Sequence, residues 1–275
     1  MADSLADALE IIVRTDTGRV RGHNEDSVFA NAQLGFAILA DGMGGYNAGE
    51  VASGMATALL AKGLEATLGE NPPHKFDATS GLSYAHRCLD EEIAASNVAI
   101  FQAAERQPQY AGMGTTLVTT LFHNDKVTVA HIGDSRLYRL RDAQFGQITR
   151  DHSLLQEQID RGLITPADAL RSQNRNLVTR ALGVDPVVDT EIHEYPVLPG
   201  DIYLLCSDGL NDMVLDAEIH STLKNLGANL ELAALQLIQK ANDNGGRDNI
   251  SVILIKILRP FPFSKAWWSK LATWF

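Results

Sequence analysis

Four aspartates of this sequence stand where an apolar stretch borders a turn that contains glycine. They are Asp41, Asp134, Asp208 and Asp248, and Glu25 lies in the loop before the first of these stretches. Each aspartate taken alone fits an ordinary Asp-Gly turn. The recurrence indicates more, because two carboxylates about 4 Å apart repel by about 4 kcal/mol at an effective dielectric of about 20. If these side chains converge, they require positive charge beside them.

Divalent cations are the natural partner for such a cluster. The motifs around the carboxylates hold no matching number of lysines, and they hold no cysteine or histidine at metal-ligand spacing. An all-oxygen ligand set favours Mg²⁺ or Mn²⁺ over zinc. The two cysteines, Cys88 and Cys206, lie far apart, and Cys206 falls inside an apolar run. We therefore expect Cys206 in the core rather than in a disulfide.

A framework of strands and helices must position these carboxylates, and the apolar spacing predicts one. Strands are expected at residues 10–15, 28–30, 34–40, 116–122, 127–132, 137–140, 187–195, 201–206 and 250–258. Helices are expected at residues 49–68, 82–104, 216–226 and 230–242. Glu25 and Asp41 then flank one hairpin. The polar segment 150–183, with Thr165 and Pro166 as a helix N-cap and first helical residue, is expected to form a surface subdomain beside the site.

Composition limits the classes of function that the chain can have. It has 275 residues and a net charge of −11, which argues against nucleic acid as a partner. The acidic first ten residues lack the basic and apolar regions of a signal peptide, and no apolar run reaches the length of a membrane span. A cytoplasmic monomer is expected.

Six motifs in order resemble the type 2C metal-dependent protein serine/threonine phosphatases. They occupy residues 21–26 (RGHNED), 41–45 (DGMGG), 112–116 (GMGTT), 133–136 (GDSR), 207–209 (SDG) and 246–249 (GRDN). Each motif is weak by itself, but their order is specific, and the resemblance covers about residues 10–258. It implies an α+β fold in which a sandwich of two antiparallel sheets is flanked by helices, with the segment 150–183 as a helical flap subdomain.

The resemblance also implies a metal centre at one end of the sandwich. Asp41 would bridge two metal ions, Mn²⁺ or Mg²⁺, and Gly42 would offer its carbonyl oxygen to one of them. Asp208 and Asp248 would hold the first ion. Glu25 would act beside the second, mostly through water.

Two further residues receive roles from the same resemblance. Asp134 would help to hold a third, weaker ion, with a contribution from the SDG-motif aspartate. Arg21 would bind the substrate phosphate, a task that suits a guanidinium because it can donate paired hydrogen bonds to two phosphate oxygens.

The position after the first Asp-Gly distinguishes branches of the family. Animal-type members carry a histidine there, proposed as the acid that protonates the leaving oxygen, whereas this chain has Met43. The sequence is similar to the bacterial branch in this respect. His152 is a weak candidate for the acid, and packing or hydrogen bonding within the polar segment is the favoured interpretation. The acid stays unassigned.

The implied activity is hydrolysis of phosphoserine and phosphothreonine in proteins by a metal-bridging hydroxide, in opposition to a Ser/Thr protein kinase. One alternative is a catalytically weak or inactive binding module of the same fold. Inactive relatives usually lose metal carboxylates, whereas Asp41, Asp208 and Asp248 are all present. A second alternative is a phosphatase for small phosphoesters.

A basic tail follows the predicted catalytic domain of residues 1–258. Residues 259–275 contain all three tryptophans, three basic residues and no acidic residue. On a helix, one face would carry Trp267, Trp268, Leu271, Trp274 and Phe275. The tail either docks on its own domain or contacts a membrane surface or a partner protein.

Overall fold

The structure, a computed structural model, describes residues 4–45, 47–70, 81–169 and 177–261 together with residues 73 and 172. The strands are Leu9–Asp16 (β1), Asp26–Asn31 (β2), Phe36–Met43 (β3), Gly114–Thr115 (β4), Leu117–His123 (β5), Lys126–Ile132 (β6), Arg136–Arg141 (β7), Gln144–Gln147 (β8), Glu191–Pro196 (β9), Ile202–Cys206 (β10) and Ile250–Ile257 (β11). The helices are Ala48–Glu70 (α1), Tyr84–Arg106 (α2), Leu154–Asp160 (α3), Pro166–Ala169 (α4), Asp208–Asn211 (α5), Asp216–Leu226 (α6) and Leu230–Asp243 (α7).

Two antiparallel sheets form the centre of the molecule. One has the strand order β1-β11-β10-β7-β8, and the other has the order β2-β3-β5-β6-β9 with β4 paired to β3. One apolar cluster lies between the two sheets, a second lies between the β3-containing sheet and helices α1 and α2, and a third lies beneath α6 and α7. The predicted α+β sandwich flanked by helices is confirmed.

Residue alternation along β3 determines where the first aspartate points. Ile38 and Ala40 pack in the cluster beneath α1 and α2, whereas Ala37 and Leu39 pack between the sheets. Because side chains alternate between the two faces of a strand, Asp41 continues the second row. Its carboxylate therefore lies at the end of the space between the sheets.

The same alternation places polar side chains from neighbouring strands at that end. Asp26 is directly opposite Asp41 in the β2–β3 pairing. Ser207 lies two residues beyond Leu205, which packs between the sheets, and Ser251 lies two residues before Ile253 in the same cluster. The apolar layer between the sheets thus ends in a layer of carboxylates and hydroxyls.

The prediction of strand 187–195 is wrong at its start, because β9 begins at Glu191. Strand β9 pairs with β6 only from His131–Glu191 to Lys126–Pro196. Beyond this point β6 ends and its chain turns at Gly133, whose φ of 100° is open to glycine, so the residues before Glu191 have no strand to pair with.

The polar segment and the tail are described in part. Thr165 caps α4 by accepting a hydrogen bond from the Asp168 N–H at 3.2 Å, and the helix begins at Pro166 as predicted. Residues 170–171 and 173–176 of the predicted flap lie outside the described residues. So do residues 262–275, which include the predicted Trp-rich face. The start of the tail is anchored, since Phe261 is fully buried against Phe122. Within the described ranges, no helix has both the length and the hydropathy needed to cross a bilayer.

Gly209 gives a direct test of how tightly the loops at the polar end are packed. A Cβ at this position would lie 2.0 Å from the Asn249 carbonyl oxygen, which belongs to backbone and cannot rotate away. We expect Gly209→Ala to lower the free energy of unfolding by about 3 kcal/mol in urea titrations. Gly54→Ala is the control, because nothing lies within 4 Å of its added Cβ. This helical substitution should raise stability by about 1 kcal/mol. Equal effects of the two variants would contradict the packing.

Candidate metal centre

The β2–β3 hairpin brings two carboxylates side by side. Asp26 and Asp41 occupy directly opposed positions, so their side chains leave the sheet on the same face. Ser207 donates a hydrogen bond to Asp26 Oδ2 at 2.8 Å. Asp26 Oδ1 is buried and has no hydrogen-bond partner among the residues that the structure describes. Asp26 belongs to the RGHNED motif, but residue spacing alone gives it no role.

A second pair of carboxylates comes from loops that touch each other. Asp208 follows β10 and opens α5, and Asp248 precedes β11. The close approach of Gly209 to the Asn249 carbonyl brings the two loops into contact. Asp208 Oδ1 is buried without a hydrogen-bond partner in the described part of the chain. Asp248 Oδ1 accepts the Asn249 N–H at 2.9 Å.

Arg21 and Glu25 reach this end of the sandwich from the loop before β2. Arg21 Nη2 donates a hydrogen bond to Asp248 Oδ2 at 2.7 Å, and about half of the arginine side chain is exposed. The N–H of Glu25 is bound by Asn249 Oδ1 at 2.8 Å. Asn249 also donates through Nδ2 to the carbonyls of Thr17 and His23. One asparagine side chain therefore fixes this loop against the GRDN motif.

The backbone at Asp41 and Gly42 is held from both sides. Thr115 Oγ1 and the Thr116 N–H both donate to the Asp41 carbonyl, at 2.8 and 2.9 Å. The Gly42 N–H donates to the Glu25 carbonyl at 3.1 Å. A Cβ on Gly42 would lie 2.1 Å from the carbonyl oxygen of Gly49, in the first turn of α1. Only glycine permits this approach of β3 to the helix.

Asp134 completes the cluster from the turn after β6. Its carboxylate is 7% exposed, and the preceding Gly133 packs against Thr116 so closely that a Cβ would lie 2.7 Å from the threonine side chain. Thr116 Oγ1 also shares a hydrogen bond with Ser135 Oγ at 2.7 Å. The GMGTT and GDSR motifs are thus one packed unit.

The carboxylates of this cluster resist ionisation when no cation is present. Burial, reinforced by the charges of Asp26 and Asp208, raises the pKa of Asp41 well above its ordinary value. Burial and the charges of Asp134 and Asp248 do the same to the pKa of Asp208. Burial raises the pKa of Asp26 and that of Asp134 to about 6. The arrangement is costly for the bare protein at neutral pH.

The donor set fits divalent cations. Asp26 and Asp208 each present a buried oxygen that lacks a hydrogen bond within the described residues. The carboxylates converge from separate strands and loops, and the donors are oxygens, which Mg²⁺ and Mn²⁺ prefer. Among the described residues, basic side chains act on two of these carboxylates: Arg21 bonds Asp248, and the charge of Arg136 acts on Asp134. Cations would supply the missing positive charge.

Met43 has no proton to donate, and His152 is the weak candidate for the acid. Met43 is half-buried at the end of β3. His152 is buried and engages both ring nitrogens: the Gly133 N–H lies 3.2 Å from Nδ1, and Glu191 Oε2 lies 3.3 Å from Nε2. His152 is thus packed and hydrogen-bonded, as expected, but its ring partners Gly133 and Glu191 lie outside the polar segment 150–183 rather than within it.

Comparison with known proteins identifies the family. The sequence model of the protein phosphatase 2C family matches residues 19–236. The chain belongs to this family. It is 39% identical over 246 residues to the serine/threonine phosphatase stp of Listeria innocua, covering 88% of this chain and 94% of that protein. The resemblance to bacterial members is therefore confirmed.

Solved structures of family members have the same fold. Stp1 from Staphylococcus aureus, a serine/threonine phosphatase, superposes with a TM-score of 0.82 at 36% identity, covering 94% of this chain and 97% of that one. The catalytic domain of the serine/threonine protein phosphatase PstP superposes with a TM-score of 0.79 at 38% identity, covering 91% and 99%. That crystal structure is of a complex with two manganese ions.

The raised pKa values predict how the metal-stripped protein responds to pH. Because Asp26 and Asp134 have a pKa of about 6 in the folded protein, against an ordinary 3.8, the folded state binds their protons more tightly than the unfolded chain. Stability should therefore fall as the pH rises through this range. In a chelator, we expect the melting temperature to drop by roughly 5–10 °C between about pH 5 and about pH 7.5.

Mn²⁺ should restore the lost stability at about pH 7.5, because ligands that bind only the folded state raise its melting temperature. Asp26→Asn, which cannot ionise, is the matched variant and should show a smaller pH dependence in chelator. If the melting temperature of the metal-free protein rose with pH instead, the carboxylates could not be clustered with raised pKa values as described.

Proposed function

We propose that Asp41, Gly42, Asp208 and Asp248 hold two divalent cations, Mn²⁺ or Mg²⁺, with Glu25 beside them and Asp134 at a third, weaker site. The observation that carries this proposal is the buried Asp208 Oδ1, which has no hydrogen-bond partner within the described ranges and lies beside like charges. The manganese ions of the PstP catalytic domain support it.

The chain is a protein serine/threonine phosphatase, and its substrates are phosphorylated proteins. When bound, the paired cations supply a water of lowered pKa as the attacking group and neutralise charge on the phosphoryl oxygens. The protein's own contribution is to fix the carboxylates. The hydrogen bonds of Thr115 and Thr116 to the Asp41 carbonyl and the Asn249 contacts restrain the loops on which the proposed ligands lie.

Arg21 is proposed to bind the substrate phosphate. Its side chain is about half exposed and lies at the rim of the cluster, where its guanidinium already contacts Asp248. A guanidinium can keep one N–H on a carboxylate while others donate to phosphate oxygens. An opposing Ser/Thr protein kinase is expected as the source of the phosphorylated substrates.

A cleft beside the metal centre is the proposed place for the peptide around the phosphorylated residue. It has a volume of about 510 Å³ and runs from Asp134 and Asp208 to the first helix of the polar segment. Leu155 and Ile159 of α3 line its far wall. This position beside α3 supports the proposal that the segment 150–183 is a flap.

The tail is proposed as a docking element for a membrane surface or a partner protein. Its first residues are held by the domain, because Arg259 pairs with Asp7 and the Phe261 N–H donates to Asp125 Oδ1. Deleting residues 262–275 should leave hydrolysis of a phosphothreonine peptide unchanged and abolish binding to vesicles that contain acidic lipid. Vesicle binding that survives the deletion would contradict the membrane assignment.

Asp208→Asn tests the proposed metal ligands. Loss of the charged ligand should lower kcat with Mn²⁺ by about a hundredfold or more on a phosphothreonine peptide, and chelation should abolish activity of the parent protein. Asp243→Asn on the exposed face of α7 is the control and should be unchanged. Parent activity that survives chelation, or an active Asp208→Asn protein, would overturn the assignment.

Arg21→Ala tests phosphate recognition. Removing the guanidinium should raise KM by about tenfold to a hundredfold, since a hydrogen bond to a charged group contributes about 1.5–3 kcal/mol. Arg19→Ala, in the same loop, should have a KM within about twofold of the parent. The Mn²⁺ concentration needed for half-maximal activity is measured in parallel. It should change only if the substitution disturbs metal binding through Asp248. An unchanged KM in Arg21→Ala would contradict the role.

A further inference from the structure

Two buried histidines and a glutamate form a cluster next to the metal centre but outside its predicted ligands. His131 lies on β6, His152 precedes α3, and Glu191 begins β9 directly opposite His131. The two imidazole rings stack with centroids 4.7 Å apart, and both are less than one-tenth exposed. One ligand atom from each of the three residues lies within 4.8 Å of the others.

Hydrogen bonding fixes where the protons of these rings lie. The Gly133 N–H can only donate, so at 3.2 Å from His152 Nδ1 it requires an unprotonated Nδ1. The proton of a neutral His152 is then on Nε2, where it donates to Glu191 Oε2 at 3.3 Å. His131 Nε2 lies 2.8 Å from the Arg150 carbonyl, which can only accept, so this nitrogen is protonated as well.

These protons argue against a second metal site in the cluster, although two histidines and a carboxylate are familiar zinc ligands. A cation at His152 Nε2 would move the ring proton to Nδ1, which would then face the Gly133 donor. A cation at His131 Nε2 would displace its hydrogen bond to Arg150. The cluster is built as a hydrogen-bonded support.

The group that this support holds is the peptide directly before Asp134. Gly133 donates to the His152 ring, and the Gly133 carbonyl accepts the His152 N–H at 2.9 Å, so ring and backbone grip the same residue. Gly133 has a φ of 100° and packs against Thr116, which leaves it little room to move. A change in this peptide would redirect the Asp134 carboxylate.

His152 also joins the turn at Gly133 to the polar segment. The His152 carbonyl accepts the Thr179 N–H at 2.8 Å, and the next residue, Ser153, caps α3 through its hydroxyl. His152 thus links the chain that carries Asp134 with both ends of the segment 150–183. Arg136 of the same motif also bonds Asp151 of this segment, but of these two links only the His152 ring contacts Gly133 directly.

We propose that His152 is a positioning residue, whose ring, oriented by Glu191, fixes the Gly133 peptide and thereby aims Asp134 at the metal centre. This inference rests on the proposed function, in which Asp134 helps to hold the third and weakest cation. Burial lowers the pKa of His152 and that of His131, which favours the neutral rings that this geometry uses.

The test is Mn²⁺ binding measured by isothermal titration calorimetry on the full chain, without substrate. His152→Ala should weaken the weakest Mn²⁺ site at least tenfold and leave the two tighter sites within twofold, as Asp134→Ala should. The double variant should lose no more than Asp134→Ala alone, because the histidine acts through the carboxylate. Glu191→Gln keeps an acceptor for Nε2–H and should bind Mn²⁺ as the parent does.

His123→Ala is the matched control. His123 is also buried and lies in the sheet that carries His131 and Glu191. It bonds Thr128 at 2.8 Å and lies near Glu194, but it pairs with Lys126 at the opposite end of β6 from His131. The His123→Ala substitution should lower the melting temperature as His152→Ala does, and it should leave the affinity of every Mn²⁺ site unchanged. Weak-site affinity that is unchanged in His152→Ala, or equally reduced in His123→Ala, would overturn the inference while leaving the two-metal function intact.

A second measurement needs no variant. Long-range proton–nitrogen spectra of the metal-free parent should show His152 as the neutral Nε2–H tautomer. The Nδ1–H tautomer, or a shift of its resonances on stoichiometric Zn²⁺ that Mn²⁺ does not cause, would overturn the inference in favour of a zinc site. A parent protein that binds no Mn²⁺ at all would overturn the proposed function and, with it, this inference.

Discussion

The carboxylates at one end of the sandwich repel one another, and the surrounding structure holds them together. Asp26, Asp41, Asp134 and Asp208 sit within one end of the sandwich, and burial together with neighbouring charge raises the pKa of each. A fold that gathers these groups must hold them against their repulsion until cations bind. The surrounding hydrogen bonds and close-packed glycines hold the carboxylates in place against this repulsion.

The restraint comes mostly from backbone and neutral side chains rather than from opposing charges. Threonine hydroxyls and N–H groups fix the Asp41 peptide, and Asn249 ties the loop of Glu25 to the loop of Asp248. Gly42 and Gly209 allow loops to approach within distances that a Cβ would forbid. Because these supports carry no formal charge, the carboxylates remain available to cations. Bacterial phosphatases of the same family share the fold.

Much of this arrangement could be predicted from the sequence because it follows from local patterns. The apolar run that ends at Asp41 and the hairpin between it and Glu25 need only residue spacing, and both are present. The roles of Asp26 and Asn249 could not be predicted in this way. Asp26 depends on its exact cross-strand register, and Asn249 bonds to a loop 224 residues away in sequence. The predicted start of β9 at residue 187 was wrong because a strand extends only as far as its partner strand, and β6 offers no partner before Glu191.

We propose that the aspartates converge in order to hold two divalent cations. Anomalous diffraction at the manganese edge, from crystals of the full chain grown with Mn²⁺, tests it most directly. We expect two strong peaks, both in contact with Asp41 and one of them also with Asp208 and Asp248. No peak among these carboxylates, in a protein that hydrolyses phosphothreonine peptide under the same conditions, would contradict it.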